Sequence, residues 1–209
     1  MSGMMEHLED RRLMTVILGA DGVLKIDGGN TKDYVSVVID TRGTVETSDD
    51  RVQVCWGRDG ISSTHGFALS AVQSILFRGY DGNDEFYNTA PCLPAVAYGG
   101  RGNDTLSGGG RGDMLCGESG ADLLIGNGGN DSLFGGGGVD TLRGGDGEDY
   151  LDGGNDGLRD ELTGGSGADT FVVHENVTGW PFNYRSHLHE NYTDFNGGQG
   201  DRESWVVHD

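Results

Sequence analysis

The chain has 209 residues, with 34 acidic against 14 basic side chains and a formal net charge of −20. That balance argues against nucleic acid as a partner, because phosphates would be repelled. No apolar run reaches the roughly eighteen residues of a membrane-spanning helix. Three cysteines without close spacing, Cys55, Cys92 and Cys116, are not a disulfide framework. Free buried thiols are the plainer reading, with one Cys55–Cys92 bridge as the alternative.

The first twelve residues are charged and lack a signal-peptide core, and Leu13–Leu18 is too short to serve as one. Residues 13–77 read as β. The expected strands are Leu13–Leu18, Val23–Ile26, Tyr34–Thr41, Arg51–Trp56 and Val72–Phe77, since apolar residues alternate at Val35, Val37 and Ile39 and at Val52 and Val54. Asp-Gly pairs at 21–22 and 59–60 mark turns. Gly28-Gly29 through Asp33 to Val35 is a faint echo of the repeat described next, with Asp33 read as an ordinary turn aspartate. A clearer copy is Gly79-Tyr-Asp-Gly-Asn-Asp84-Glu-Phe86-Tyr. Asn88–Ala97, with Pro91 and Pro94, reads as a coil without a metal turn.

From Gly99 to Val172 one nine-residue phrase, G-G-x-G-x-D-x-U-x with U large and apolar, recurs almost without a break. Its Asp falls at 104, 113, 122, 131, 140, 149, 160 and 169; its U falls at Leu106, Leu115, Leu124, Leu133, Leu142, Leu151, Leu162 and Phe171. This nonapeptide is a signature of calcium-binding parallel β-helices. A Gly-rich turn and a three-residue strand make half a coil, so two repeats make one coil and alternate repeats stack. One edge is expected to carry Asp104, Asp122, Asp140 and Asp160, and the other Asp113, Asp131, Asp149 and Asp169. Asp84, twenty residues before Asp104, belongs on the first edge. Each edge is then a column of carboxylates that repel one another until a hard, oxygen-binding cation is present. Calcium accepts six to eight oxygens in flexible geometry, magnesium demands a tighter octahedron, and zinc or copper would ask for His or Cys. One apolar side chain per repeat is a thin core, so metal binding is expected to supply folding energy.

The array resembles the hemolysin-type (RTX) calcium-binding repeat family. The resemblance implies a parallel β-roll with calcium in its turns, and export to a calcium-rich exterior, by a C-terminal uncleaved signal or by a leader preceding this sequence. Carried over by position, the side-chain ligands are Asp84, Asp104, Asp113, Asp122, Asp131, Asp140, Asp149, Asp160 and Asp169. Main-chain carbonyls at Gly100, Gly102, Gly120, Gly129, Gly136, Gly138, Gly145, Gly147, Gly165 and Gly167 would complete the sites. Roughly six ions, one between each pair of stacked turns, are expected. Several repeats depart from the pattern. Arg111 replaces a glycine and would aim its charge at a cation site. Glu118 and Asn127 replace second glycines, a left-handed position that Asn tolerates better than Glu. Gly153–Thr163 holds two extra residues and should form a bulged turn.

The expected organisation is all-β: a β-rich N-terminal cap over residues 1–78, a calcium-binding parallel β-roll (a β-helix solenoid) over 79–172, and a short C-terminal capping segment over 173–209. Trp180, Phe182, Tyr184 and Phe195 could cover the last coil. Arg111-Gly112-Asp113 spells an adhesion tripeptide, explained by chance because Asp113 already belongs to the register. His174, His187, His189 and His208, with Glu175 and Glu190, crowd the tail and read as polar surface. The sequons at Asn176 and Asn191 read as chance matches. Outward positions Met114, Cys116, Leu123, Ile125 and Phe134 are unusually apolar, as a contact patch or as ground for a cap. No H-E-x-x-H, G-x-S-x-G or phosphate loop is present. The reading is a non-enzymatic, secreted calcium-binding protein that folds on calcium and has a structural, adhesion or surface-association role. The alternative is an accessory export, stability or polysaccharide-binding module of an extracellular enzyme. The residues do not name a protein or polysaccharide partner.

Overall fold

The computed structural model describes residues 14–41, 50–58, 61–176, 191–192 and 202–208. Among them, from residue 74 onward strands alternate between two sheets as the chain coils. The N-terminal strands are β1 (Thr15–Leu18), β2 (Val23–Asp27), β3 (Tyr34–Asp40), β4 (Arg51–Arg58), β5 (Ile61–Ala68) and β6 (Ser74–Asp81). The coils continue through β7 (Glu85–Asn88), β8 (Ala95–Arg101), β9 (Thr105–Ser107), β10 (Met114–Ser119), β11 (Leu123–Gly128) and β12 (Ser132–Gly137). They end with β13 (Thr141–Asp146), β14 (Tyr150–Asp152), β15 (Glu161–Ser166), β16 (Thr170–Asn176), β17 (Asn191–Tyr192) and β18 (Arg202–His208). One sheet runs β1-β2-β6-β8-β10-β12-β14-β16-β18; the other runs β17-β15-β13-β11-β9-β7-β3-β4-β5. The protein is therefore an all-β solenoid of stacked parallel coils, a β-roll.

The register follows from the repeat. Leu115 of β10 pairs with Ala97 of β8 and Leu133 of β12, while Leu124 of β11 pairs with Leu106 of β9 and Leu142 of β13. All eight U side chains, from Leu106 to Phe171, are fully buried between the sheets. Toward the N-terminus the core thickens: Leu24 with Ile26, Val35 with Val37, Val52 with Val54, and Ile75 with Phe77 give two buried apolar side chains per strand. Phe77 and Phe86 stack across it at 4.9 Å. The contrast sets the energetics, since burying an apolar side chain is the main local gain and the array obtains only one per nine residues.

The boundary expected at residue 78 falls inside β6. β2 pairs in parallel with β6, and β3 with β7, so the N-terminal segment continues the same two sheets. The stack closes with antiparallel pairs, β1 on β2 and β3-β4-β5. Strand β5 was not read from the sequence. Its Ser62, Ser63, Thr64 and His65 are exposed and show no apolar alternation, so its place rests on pairing with β4.

The apolar outward residues do not form one patch: Met114, Cys116 and Phe134 lie on the sheet of β10 and β12, whereas Leu123 and Ile125 lie on the opposite sheet, in β11. The three cysteines are free, and Cys92 is exposed rather than buried. Among the described residues no helix is long and apolar enough to cross a membrane. The tail candidates Trp180, Phe182, Tyr184, His187, His189, Glu190 and Phe195, and the side chains of His174, Glu175, Asn176, Asn191 and His208, lie outside the described residues.

Candidate metal centre

Each sixth-position Asp ends a Gly-rich turn and starts the next strand. This places its carboxylate under the turn and its N–H toward the neighbouring coil. The N–H of Asp84 donates to Oδ1 of Asp104 at 2.7 Å, Asp104 to Asp122 at 2.7 Å, Asp122 to Asp140 at 2.8 Å and Asp140 to Asp160 at 2.8 Å. On the other edge Asp113 donates to Asp131 at 2.7 Å, Asp131 to Asp149 at 2.8 Å and Asp149 to Asp169 at 2.9 Å. Asp33 also stands in the first column, its N–H donating to Oδ1 of Asp84 at 2.7 Å. The faint Gly28–Asp33 echo is thus a coil of the same solenoid. All these aspartates are buried.

One oxygen of each accepting carboxylate, from Asp84 to Asp160 on one edge and from Asp131 to Asp169 on the other, is spent on the ladder. The other, Oδ2, is buried without a hydrogen-bond partner in Asp104, Asp122, Asp131, Asp140 and Asp149. A buried carboxylate oxygen without a donor or a cation is costly. Burial pushes the carboxyl groups of Asp104, Asp140 and Asp149 up to about 6 and those of Asp122 and Asp131 up to about 7; the accepted backbone N–H opposes this and nearby carboxylates add to it.

The turns surround these oxygens with further acceptors. A Cβ built on Gly117 would run into Oδ2 of Asp122 and come within 2.6 Å of the carbonyl oxygen of Gly135, one coil on. Gly135 stands in the same relation to Asp140 and, at 2.6 Å, to the carbonyl of Gly153. Carbonyls at second and fourth turn positions point the other way. Those of Gly102, Gly120, Gly129, Gly136, Gly145 and Gly147 each stand against the glycine above them, at Gly120, Gly138, Gly147, Gly154, Gly165 and Gly167. The carboxylate of one turn and the first-position carbonyl of the next coil thus share one space. Among the described residues no three His, Cys, Asp or Glu side chains converge to hold a metal. The donor set is therefore hard oxygen, largely main chain, which suits calcium and not zinc or copper.

All ten glycines expected to give main-chain ligands have positive φ, from 103° at Gly165 to 143° at Gly147. Tyr80, Glu118 and Asn127 take the second position in their turns and are left-handed too, at 74°, 75° and 77°. The expected difficulty at Glu118 is met by adopting that conformation. Not foreseen were the first-position glycines that face Oδ2, such as Gly99, Gly117 and Gly135; only the close packing of coils gives them this role. The bulge before Asp160 is present, and Asp156 within it accepts the N–H groups of Gly138 at 2.6 Å and Leu158 at 2.8 Å. Arg111 is exposed. Asp113 is 4 % exposed, which hides the carboxylate that an adhesion tripeptide would have to present.

Two expectations follow. Asp131→Ala and Asp140→Ala should each raise the calcium midpoint, followed by circular dichroism, more than Asp160→Ala. Each change orphans a buried N–H, which costs about 1–3 kcal/mol, and removes a carboxylate lying between two coils. The turn of Asp160 keeps the cross-coil bond that Asp156 makes. The second concerns pH. An unfolded Asp titrates near 3.8 and the ladder groups well above it, so without calcium the folded array binds more protons than the unfolded chain between about pH 4 and 7. Its stability therefore falls as pH rises through that window. With calcium, protons compete for the same oxygens and the dependence reverses. The metal-free chain should be more ordered at about pH 5 than at pH 7.5, and the calcium midpoint should climb on acidification; dichroism at the two pH values checks both.

The family model of the RTX calcium-binding nonapeptide repeat (4 copies) matches residues 96–124, 125–157 and 159–173. No curated protein and no solved structure matches the chain. The matched residues hold the ladder turns from Asp104 to Asp169; those of Asp33 and Asp84 lie before them. The repeat segment of this chain, within residues 96–173, is an array of RTX calcium-binding repeats folded as a β-roll.

Proposed function

We propose that the protein is a secreted, non-enzymatic β-roll that folds on meeting calcium outside the cell and serves there as a structural, adhesion or surface-association element. The observation that carries this reading is the row of buried Oδ2 atoms without hydrogen-bond partners, at Asp104, Asp122 and Asp140 on one edge and Asp131 and Asp149 on the other. Ions between the coils would give those oxygens a partner and remove the repulsion along each ladder. Asp84, Asp104, Asp122, Asp131, Asp140, Asp149, Asp160 and Asp169, with the turn carbonyls, would hold them. The carboxylates are committed to this task, which supports a structural rather than a catalytic role.

Sites built largely of neutral carbonyls, with binding tied to folding, should be weak. The midpoint of a calcium titration followed by circular dichroism is expected at about 10⁻⁴–10⁻³ M, the range of extracellular calcium modules. A midpoint at or below about 10⁻⁶ M, where cytosolic sensors work, would overturn the placement outside the cell.

A further inference from the structure

The sixth-position aspartates fall into two classes, Asp33 and Asp113 forming the smaller; both of its turns hold a residue other than glycine, Thr31 or Arg111, at the fourth position. In the turns ending at Asp33 and Asp113 the carboxylate is closed by the chain itself. Gly29 N–H donates to Oδ2 of Asp33 at 2.6 Å, and Gly109 N–H donates to Oδ2 of Asp113 at 2.6 Å. The other oxygen of Asp113 accepts the N–H of Ala95 at 2.5 Å. Neither turn contains a residue of positive φ, whereas the turns of Asp84, Asp104, Asp122, Asp131, Asp140, Asp149 and Asp169 each contain two. The fourth-position carbonyl differs as well. Against Gly120, Gly138 and Gly147 the nearest atom is the carbonyl oxygen of the turn below; against Gly82 and Gly129 it is the carbonyl carbon of Thr31 and of Arg111. Finally, the Nδ2 of Asn127 covers the carbonyl of Gly108 at 2.8 Å and reaches Ser107 Oγ at 3.0 Å.

We infer that the turns Gly28–Asp33 and Gly108–Asp113 are calcium-free locks, and that the space between each and the next coil on its edge takes no ion. Resting on the calcium reading above, this assigns calcium to six spaces. Four lie on one edge, between the turns of Asp84 and Asp104, Asp104 and Asp122, Asp122 and Asp140, and Asp140 and Asp160. Two lie on the other, between Asp131 and Asp149 and between Asp149 and Asp169. The first space lies partly outside the residues that the family model matches. The Asp33 lock lies where the apolar core is thicker, and the Asp113 lock stands over the coil of Asn88 and Ala90, which offers it no Asp turn. Hydrogen-bonded backbone donors there do what the cation does further on: they face the carboxylate with positive charge density.

The test is the number of tightly bound calcium ions on the full chain, measured by equilibrium dialysis with calcium alone. The parent should bind six, and Asp113→Asn should bind the same number, whereas Asp131→Asn should lose at least one. Asp33→Asn, in the second lock, should also keep the parent number and stands in should Asp113→Asn not fold. A parent count above six, or the loss of an ion in Asp113→Asn or Asp33→Asn, overturns the assignment of locks while leaving the calcium reading intact. A parent that binds no calcium refutes the calcium reading itself.

Discussion

In chelator, the coils from residue 99 to 172 should lose their β structure, and calcium should restore it. Each repeat orders nine residues around one buried leucine or phenylalanine, and backbone entropy opposes every one of them by about 1–2 kcal/mol. Without a cation the ladder also leaves the Oδ2 atoms of Asp104, Asp122, Asp131, Asp140 and Asp149 buried and without partners. The N-terminal coils differ: two buried apolar side chains per strand, the Phe77–Phe86 stack and the closed turn at Asp33 hold them without metal. Hydrogen exchange should therefore show backbone amides of β9 to β15 exchanging freely in chelator and protected in calcium, while those of β2, β3, β4 and β6 stay protected in both. Magnesium at the same concentration should protect the array far less. Equal protection of the array with and without calcium would mean that the leucine column suffices.

Gly138→Ala should prevent the array from folding even in saturating calcium, while Gly137→Ala beside it should be nearly silent. Gly138 has φ +135°, a region that L side chains rarely adopt, and its Cβ would strike the carbonyl oxygen of Gly120 in the coil below. Strain and overlap together should cost about 2–6 kcal/mol, a large part of a domain's stability. Gly137 has no positive φ, and its Cβ would find only the carbonyl of Glu118, at an ordinary 3.8 Å. Its effect should stay within about 0.5 kcal/mol. Calcium-dependent dichroism of the two variants makes the comparison. A folded Gly138→Ala would show that the turn has room that the stacked coils deny it.

The ladders were legible because their cause is periodic: an Asp every nine residues stands on alternate edges whatever the side chains between, and Asp84 keeps its edge despite two extra residues. Turn state was less legible. Gly100 and Gly109 hold the same turn position, yet Gly100 has φ +114° and Gly109 has no positive φ. Glycine permits both signs, so neighbours decide. Gly109 lies over the coil of Asn88 and Ala90, which carries no Asp turn; a Cβ on it would come within 2.8 Å of Asn88 Nδ2 and 3.0 Å of the carbonyl oxygen of Ala90. Conversely, Tyr80, Glu118 and Asn127 adopt the left-handed conformation without being glycine, each stacked next to a turn whose second position, at Gly100, Gly136 or Gly145, is left-handed too. The column position of Asp33 is hidden for a related reason: it depends on where β3 sits against β7, a distant pairing that local spacing does not reveal. The same is true of β5, whose polar residues acquire a place only from β4.

The most direct measurement is an anomalous difference map from crystals of the full chain grown in calcium. The account predicts discrete peaks between stacked turns, among them one between the turns of Asp104 and Asp122 and one between those of Asp131 and Asp149, within about 2.3–2.6 Å of carboxylate and carbonyl oxygens. Peaks confined to exposed carboxylates, with the spaces between these turns empty, would contradict it.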